Sequence, residues 1–437
     1  MSKDPNAMAA YLKKKFAHNT DFSAEELDDE RGKAVVCYLS SLVEPSHVPI
    51  HLQYVRWDKP RTLASLGGKI DLSKEELEHE ILGGRLVVLH ARGNASLQLK
   101  TRNVSRSVEG PQSESAIESS EDAFTEGAIT NLGILRSHLQ SSDLIISTVA
   151  LGTIRKRCIT VCYMRSMDGE KLAPEVIELL STTQSDVSTI QDLAKVLKQR
   201  RWGPVPLFTS TQLPEQGVKF LLEGRIVLFL DQHPYALVAP PSITDMWCAL
   251  YDRNHMSVIS LSIVALRVLG ILIALTVPGL YVALVSINPE LLDIDIALAV
   301  ARSREGVPYP ALIEMLLMGI VIDMVGAATI HLPKSFGPTL TMVGGIMLGQ
   351  AAVQAQLVSN LLLIVLSATI IANYNIIGIQ NMMSLRLFKY LNIALGAILG
   401  IVGMLTGIVF FVFYLAGVST FRRPYLRTLK EAGEEHD

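Results

Sequence analysis

Two carboxylates, Glu314 and Asp323, stand inside the otherwise oily segment 311–332. A charge at bilayer depth costs roughly 2.5–3.5 kcal/mol on insertion scales, so each must face protein, water or an ion path, and each is a candidate for attracting cations. They are nine positions apart, which at about 100° per residue puts them on opposite faces of an ideal helix. If Glu314 lines a path, Asp323 faces another helix, unless Gly319 bends the segment. The plainer reading of Glu314 is a group near the membrane surface, hydrated or paired with Arg304. Gln350 and Gln354 share a helix face in the weakly polar run 339–380, where they either hydrogen-bond neighbouring helices or give a cavity a polar lining.

The elements that must position these groups follow from a change of composition near residue 256. Residues 1–256 hold 61 Asp, Glu, Lys and Arg, whereas residues 257–420 hold 12. The first part is composed for water and the second for lipid. A first span is expected at 258–287, a charged interfacial stretch next, then segment 311–332. The forty-odd uncharged residues of 339–380 exceed one crossing of a core about 30 Å thick, which predicts a re-entrant or interfacial piece before a full crossing. A last span is expected at 391–416. Gly345, Gly349, Gly396, Gly400, Gly403 and Gly407 repeat at the Gly-x-x-x-Gly spacing that lets helices approach closely, in one chain or between copies. Arg422, Arg423, Arg427 and Lys430 favour a cytosolic C-terminus, and the polar N-terminus lacks a secretory core. Both ends inside require an even number of crossings, taken as four. The expected organisation is a first cytosolic α/β lobe with linker (1–125), a second lobe (126–256), a helical membrane domain (257–420) and a short cytosolic tail (421–437).

The water-soluble part contains one pattern twice. Val36-Cys37-Tyr38 and Ile81-Leu82-Gly83-Gly84-Arg85-Leu86-Val87 answer to Val161-Cys162-Tyr163 and Leu221-Leu222-Glu223-Gly224-Arg225-Ile226-Val227. Each copy reads as a β-branched strand, a helix closed by Gly, and a second strand, giving two similar lobes with a joint or cleft between them. Arg85 and Arg225 are read first as side chains satisfying the helix-end turn and second as interface or ligand groups. Asp231, in Asp231-Gln232-His233-Pro234, has the chemistry of a hairpin turn. Cys158 and Cys162 lie on an apolar strand run, which suits a buried strand better than a metal knuckle. No phosphate loop, dinucleotide fingerprint, His-Glu-x-x-His pair or nucleophile elbow occurs in the sequence, so the expectation is a non-enzyme without metal or cofactor. A net charge of −3 gives no sign of nucleic-acid binding.

An ordered set of strings resembles the GerA-type spore germination proteins, specifically the A subunit of spore nutrient receptors. They are Asn19-Thr20-Asp21-Phe22, Phe124-Thr125-Glu126, Leu222-Glu223-Gly224-Arg225, Val277 to Leu284, Ser303-Arg304-Glu305-Gly306-Val307-Pro308-Tyr309-Pro310, Glu314 to Met318, Val343-Gly344-Gly345 and Ala351 to Gln354. The resemblance implies a spore inner-membrane protein with a transporter-like B subunit and a lipoprotein C subunit. It also implies a homo-oligomer that couples nutrient sensing to ion release as a ligand-gated cation channel. Departures stand beside it. Glu118-Ser119-Ser120-Glu121 replaces a basic Arg-Gly-Pro-Arg stretch, and Thr211 to Glu215 replaces Thr-Glu-Arg-Pro-Asp. Gly319 stands where an acid is common, and Gly326-Ala327 where an Arg-Glu pair is usual. These changes fit either a rearranged subunit interface or an accessory that assists dipicolinate release. A secondary transporter is the alternative from another class, disfavoured because the visible repeat lies in the soluble part.

Overall fold

The computed structural model describes residues 5–29, 32–44, 68–90, 93–98, 122–183, 185–199, 203–249, 252, 255–331 and 337–426. The side chains of 5, 27–29, 32–33, 329–344 and 346 are outside that description, and so is Glu118-Ser119-Ser120-Glu121.

The repeat folds into two antiparallel sheets of the same strand order. The first lobe has α1 (Pro5–Lys15), β1 (Phe22–Asp29), β2 (Gly32–Leu39), β3 (Lys69–Ile70), α2 (Lys74–Leu82), β4 (Leu86–His90) and β5 (Gly93–Leu97), with sheet order β1-β2-β4-β5-β3. The second has α3 (Ala128–His138), β6 (Leu144–Leu151), β7 (Arg157–Met164), α4 (Asp168–Thr182), α5 (Ile190–Val196), β8 (Thr209–Thr211), α6 (Pro214–Leu222), β9 (Ile226–Leu230) and β10 (Ala236–Ala239), ordered β6-β7-β9-β10-β8.

Alternating apolar residues send one set to each face of a sheet. In the first lobe Val35, Cys37, Leu39, Val87 and Leu89 pack under α1 and α2, while Val36, Tyr38, Leu86 and Val88 build the opposite face. In the second lobe Ile159, Val161 and Leu228 lie against α4 and α5, and Ile146, Cys162, Val227 and Phe229 against α3 and α6.

The apolar half begins with α7 (Ser257–Ser286) and a short amphipathic helix, α8 (Ile294–Ser303). Then come α9 (Ala311–His331), α10 (Gly337–Gln354), α11 (Asn360–Tyr374) and α12 (Ile379–Gly417). Three of these, α7, α9 and α12, are long and apolar enough to cross a membrane, and α11 is apolar but shorter.

The helix α12 is not one rod. Gly400 sits at φ 63, ψ −143, a conformation open to glycine alone, and the chain reverses there. Phe388 and Phe411 would be about 34 Å apart in a straight helix, yet their rings meet at 4.7 Å. The expected last span 391–416 is thus a hairpin of two antiparallel arms, 379–399 and 401–417.

Contacts fix the directions of the other helices. Ser359, before α11, bonds Tyr281 near the end of α7, whereas Ala372, near the end of α11, abuts Gly270. α11 therefore runs back along α7. Asn392 and Gly396 meet Leu275 and Gly279 in turn, so the first arm runs parallel to α7. Ala352, near the end of α10, packs with Ala311 and Met315 at the start of α9. The described apolar half therefore holds six alternating helical segments where four crossings were expected.

The last segment returns the chain to the second lobe. β11 (Ser419–Thr420) and β12 (Arg423–Pro424) form a small hairpin whose Phe421 enters the second lobe's core among α4 and α5. Arg423 Nη1 pairs with Asp168 Oδ2 at 2.7 Å, and Ile243 N donates to the Tyr425 carbonyl at 3.0 Å.

Candidate functional site

The two Gly-Arg repeats form the same helix end. Arg85 N donates to the Glu80 carbonyl and Gly84 N to that of Ile81; Arg225 N donates to Phe220 and Gly224 N to Leu221. Gly84 and Gly224 both have positive φ, which completes a Schellman cap. The guanidiniums then pair with carboxylates rather than entering a cleft. Arg85 meets Glu80 at 2.8 Å, where Lys69 also binds at 2.7 Å; Arg225 meets Asp245 at 2.8 Å and Glu223 at 3.2 Å. Burial opposes the Glu80 charge, but Lys69 and Arg85 outweigh it and hold the carboxyl below its usual range. Asp231 occupies the β9–β10 turn, its N–H donating to the Cys158 carbonyl. Burial pushes the Cys37 thiol up to about 12 and the Cys162 thiol higher still, so both act as core residues.

The joint between the lobes is made by residues that the sequence marked only through the Asn19-Thr20-Asp21-Phe22 string. Thr20 N donates to the Ile146 carbonyl and Asn19 Oδ1 accepts from Ile146 N, so the first lobe caps the edge strand β6. Beneath this, Asp21 takes a two-pronged bond from Arg136, 3.1 and 3.2 Å, and accepts from the Ser41 hydroxyl at 2.8 Å. Arg136 is fully buried.

In the long apolar helices α7, α9 and α12 each described charge has a partner. Arg267 of α7 grips Asp252 through both carboxylate oxygens and donates to the Trp247 carbonyl, which ties the second lobe's exit to the base of the helices. Glu314 is fully buried. Its Oε1 accepts from Ser359 N at 2.5 Å, just ahead of α11, and its Oε2 faces Arg304 Nε at 3.4 Å. A carboxylate at a helix N-terminus complements the dipole. Ser359 itself caps α11 and bonds Tyr281 of α7, so Glu314 joins four elements. Asp323, on the other side of α9, turns to α12: Arg386 Nε at 3.4 Å, Lys389 Nζ at 3.3 Å and the Tyr390 hydroxyl at 2.5 Å.

Gln350 and Gln354 are exposed on α10, as is Gly345, while Gly349 meets only Leu363. The single chain does not bring the glutamines to Glu314 or Asp323. The α12 glycines serve contacts inside the chain. A Cβ on Gly396 would lie 2.8 Å from the Gly279 carbonyl, and one on Gly403 or Gly407 would collide with Leu395 or Asn392 of the opposite arm. Asn392, whose Nδ2 donates to the Leu275 carbonyl at 2.8 Å, sits at this three-way crossing. A cavity of about 400 Å³ lies between α5, residues 203–208 and Gln380 at the foot of α12. Among the described residues no cluster of His, Cys, Asp and Glu could hold a metal ion.

Two duplicated α/β lobes joined by a buried ion pair and clasped to apolar helices define a membrane-type protein with a structured water-soluble body. The chain belongs to the GerA family: the family described as Bacillus/Clostridium GerA spore germination protein matches residues 10–435. Spore germination protein B1 of Bacillus subtilis (strain 168) is 29% identical over 436 residues, 95% of this chain and 89% of that protein. Spore germination protein A1 of the same organism is 27% identical over 357 residues, 82% and 74% of the two chains. A solved structure, the N-terminal domain of the A subunit of the Bacillus megaterium spore germinant receptor GerK3, aligns with 53% of this chain and 92% of its own at 18% identity and a TM-score of 0.39.

Proposed function

We propose that this protein is the membrane subunit of a spore germinant receptor, coupling nutrient sensing to ion release as one copy in an oligomeric, ligand-gated cation channel. It would lie in the spore inner membrane with both lobes on the cytosolic side, beside a transporter-like B subunit and a lipoprotein C subunit. Membership of the family supports the receptor role. The observation that carries the channel reading is the exposure of Gln350 and Gln354 on an otherwise apolar helix. Amides left facing hydrocarbon are costly, so that face is suited to neighbouring copies or to water. The clasp supplies a path between lobe and helices, since Phe421 is packed in the second lobe only four residues beyond the end of α12. The break at Gly400 is a full reversal beside Asn288, at the end of the bundle far from the lobes. It is not a midplane interruption around a substrate, which disfavours the transporter alternative.

The test is cation flux through the assembled receptor carrying Glu314→Gln. Glutamine keeps an oxygen for Ser359 N–H, so assembly is expected to survive while flux falls. Unchanged flux in assembled complexes would reject Glu314 as part of the ion path and leave it as the clamp of α11 alone.

A further inference from the structure

The cluster around Asp323 does not balance. One carboxylate serves two cations, Arg386 and Lys389, leaving one net positive charge among helices composed for lipid. Arg386 Nε lies within ion-pair distance of Asp323 but makes no hydrogen bond. Lys389 Nζ lies 3.3 Å from Asp323 Oδ2 and 4.6 Å from the centroid of the Tyr390 ring.

Residues 257–420 have no second acid to offer. Residues 257–420 contain six acids: Glu290, Asp293, Asp295, Glu305, Glu314 and Asp323. Glu314 is committed to Arg304 and Ser359. The other four border the far end, where Asn288 meets Gly400. Lys389 is eleven residues below Gly400, about 16 Å along the helix axis. A second copy of the chain would bring the same inventory and the same deficit.

The surroundings say what kind of group is missing. Ile320 and Met324 beside Asp323, and Met383 and Leu387 beside Arg386, are all largely exposed. This is an apolar side wall with a cation set in it. A water-filled path would be lined differently, whereas a neighbouring helix would cover it well.

We propose that the α9–α12 face around Asp323, Arg386 and Lys389 is a docking surface for a transmembrane helix of a different protein, apolar and carrying one Asp or Glu at mid-depth. That carboxylate completes a two-cation, two-anion cluster. The partner is chosen by charge at depth, where an unpaired cation is penalised and an acid on the incoming helix is relieved of its own penalty. From the functional reading the proposal takes only the insertion of these helices in a bilayer, and it does not depend on ion conduction.

The experiment uses the full-length protein in lipid vesicles and a synthetic leucine-alanine transmembrane peptide with one central Glu, its association followed by energy transfer. A Gln peptide and a Glu peptide shifted by two helical turns are the comparisons, and neither requires altering the protein. The central Glu peptide is expected to associate about tenfold more tightly than either. Gly319→Glu then supplies the missing charge from within, because a side chain at Gly319 starts 3.5 Å from the Tyr390 hydroxyl, and it is expected to remove the preference. Arg386→Gln is expected to do the same by removing the surplus cation. Equal association of the three peptides would overturn the proposal, even if a soluble carboxylate such as acetate bound the cluster. So would a preference that persisted in both variants.

Discussion

Removing one partner of the Asp21–Arg136 pair is the sharpest perturbation of the lobe joint. Arg136→Met leaves the Asp21 carboxylate buried with only the Ser41 hydroxyl, and Asp21→Ala leaves a fully buried guanidinium without its acid. Stranding a buried charge costs about 3–5 kcal/mol, which at about 1.4 kcal/mol per decade is roughly two to nearly four powers of ten in the population of the opened joint. Cys162 reports on that opening. It lies buried in the sheet face packed against α3, the helix that carries Arg136, and burial raises its thiol pKa. In a protein whose other three cysteines, Cys37, Cys158 and Cys248, are replaced by serine, its rate of modification by a maleimide should therefore rise by two or more powers of ten in each single variant, while further loss of Cys162 leaves no signal. The double variant should recover much of the loss, because replacing a buried pair by apolar groups is often neutral. Single variants that change the rate less than threefold, or a double variant as reactive as the two singles combined, would refute the assignment of the joint to this pair.

Two further outcomes concern other parts of the molecule. Gly407→Leu should splay the arms of α12, since any Cβ there collides with Asn392; disulfide trapping between cysteines placed at Phe388 and Phe411 should fall sharply, and undiminished trapping would contradict the hairpin. The lowered Glu80 carboxyl contributes stability to the first lobe that is present above its ordinary value of 4.5 and is lost as the pH falls through the lower folded value. Amide exchange in β4 should therefore accelerate as the pH drops below 4.5, after correction for intrinsic rates, and Glu80→Gln should flatten that dependence.

What could be read in advance was local or periodic. The Gly-Arg repeats announced the helix ends before β4 and β9, because a Schellman cap needs a glycine at one defined place, and the shared order of the two sheets follows from the doubled pattern. The opposite faces of Glu314 and Asp323 followed from helix geometry alone, and their partners, Ser359 and Lys389, do lie on different elements. The reversal at Gly400 was illegible, since the apolar run continues through it and Gly-x-x-x-Gly spacing is the same whether a glycine meets another chain or its own returning arm. The Asp21–Arg136 pair was hidden by 115 residues of separation, and no local propensity links its ends. Arg267 is the lone charge of the first span, but no local pattern ties it to Asp252, fifteen residues back in the chain.

The position of Phe421 has a consequence for how the molecule is made. This side chain completes a core that otherwise belongs to residues 145–239, yet it emerges from the ribosome only after every apolar helix has been synthesised. Until then the second lobe carries an open slot between its sheet and α4–α5, with Asp168 awaiting Arg423. The lobe is finished last, and only when the final arm has arrived on the lobe's own side. A chain whose final arm does not return leaves that slot empty, so completion of the helical half is registered in the folding of a lobe that lies outside it.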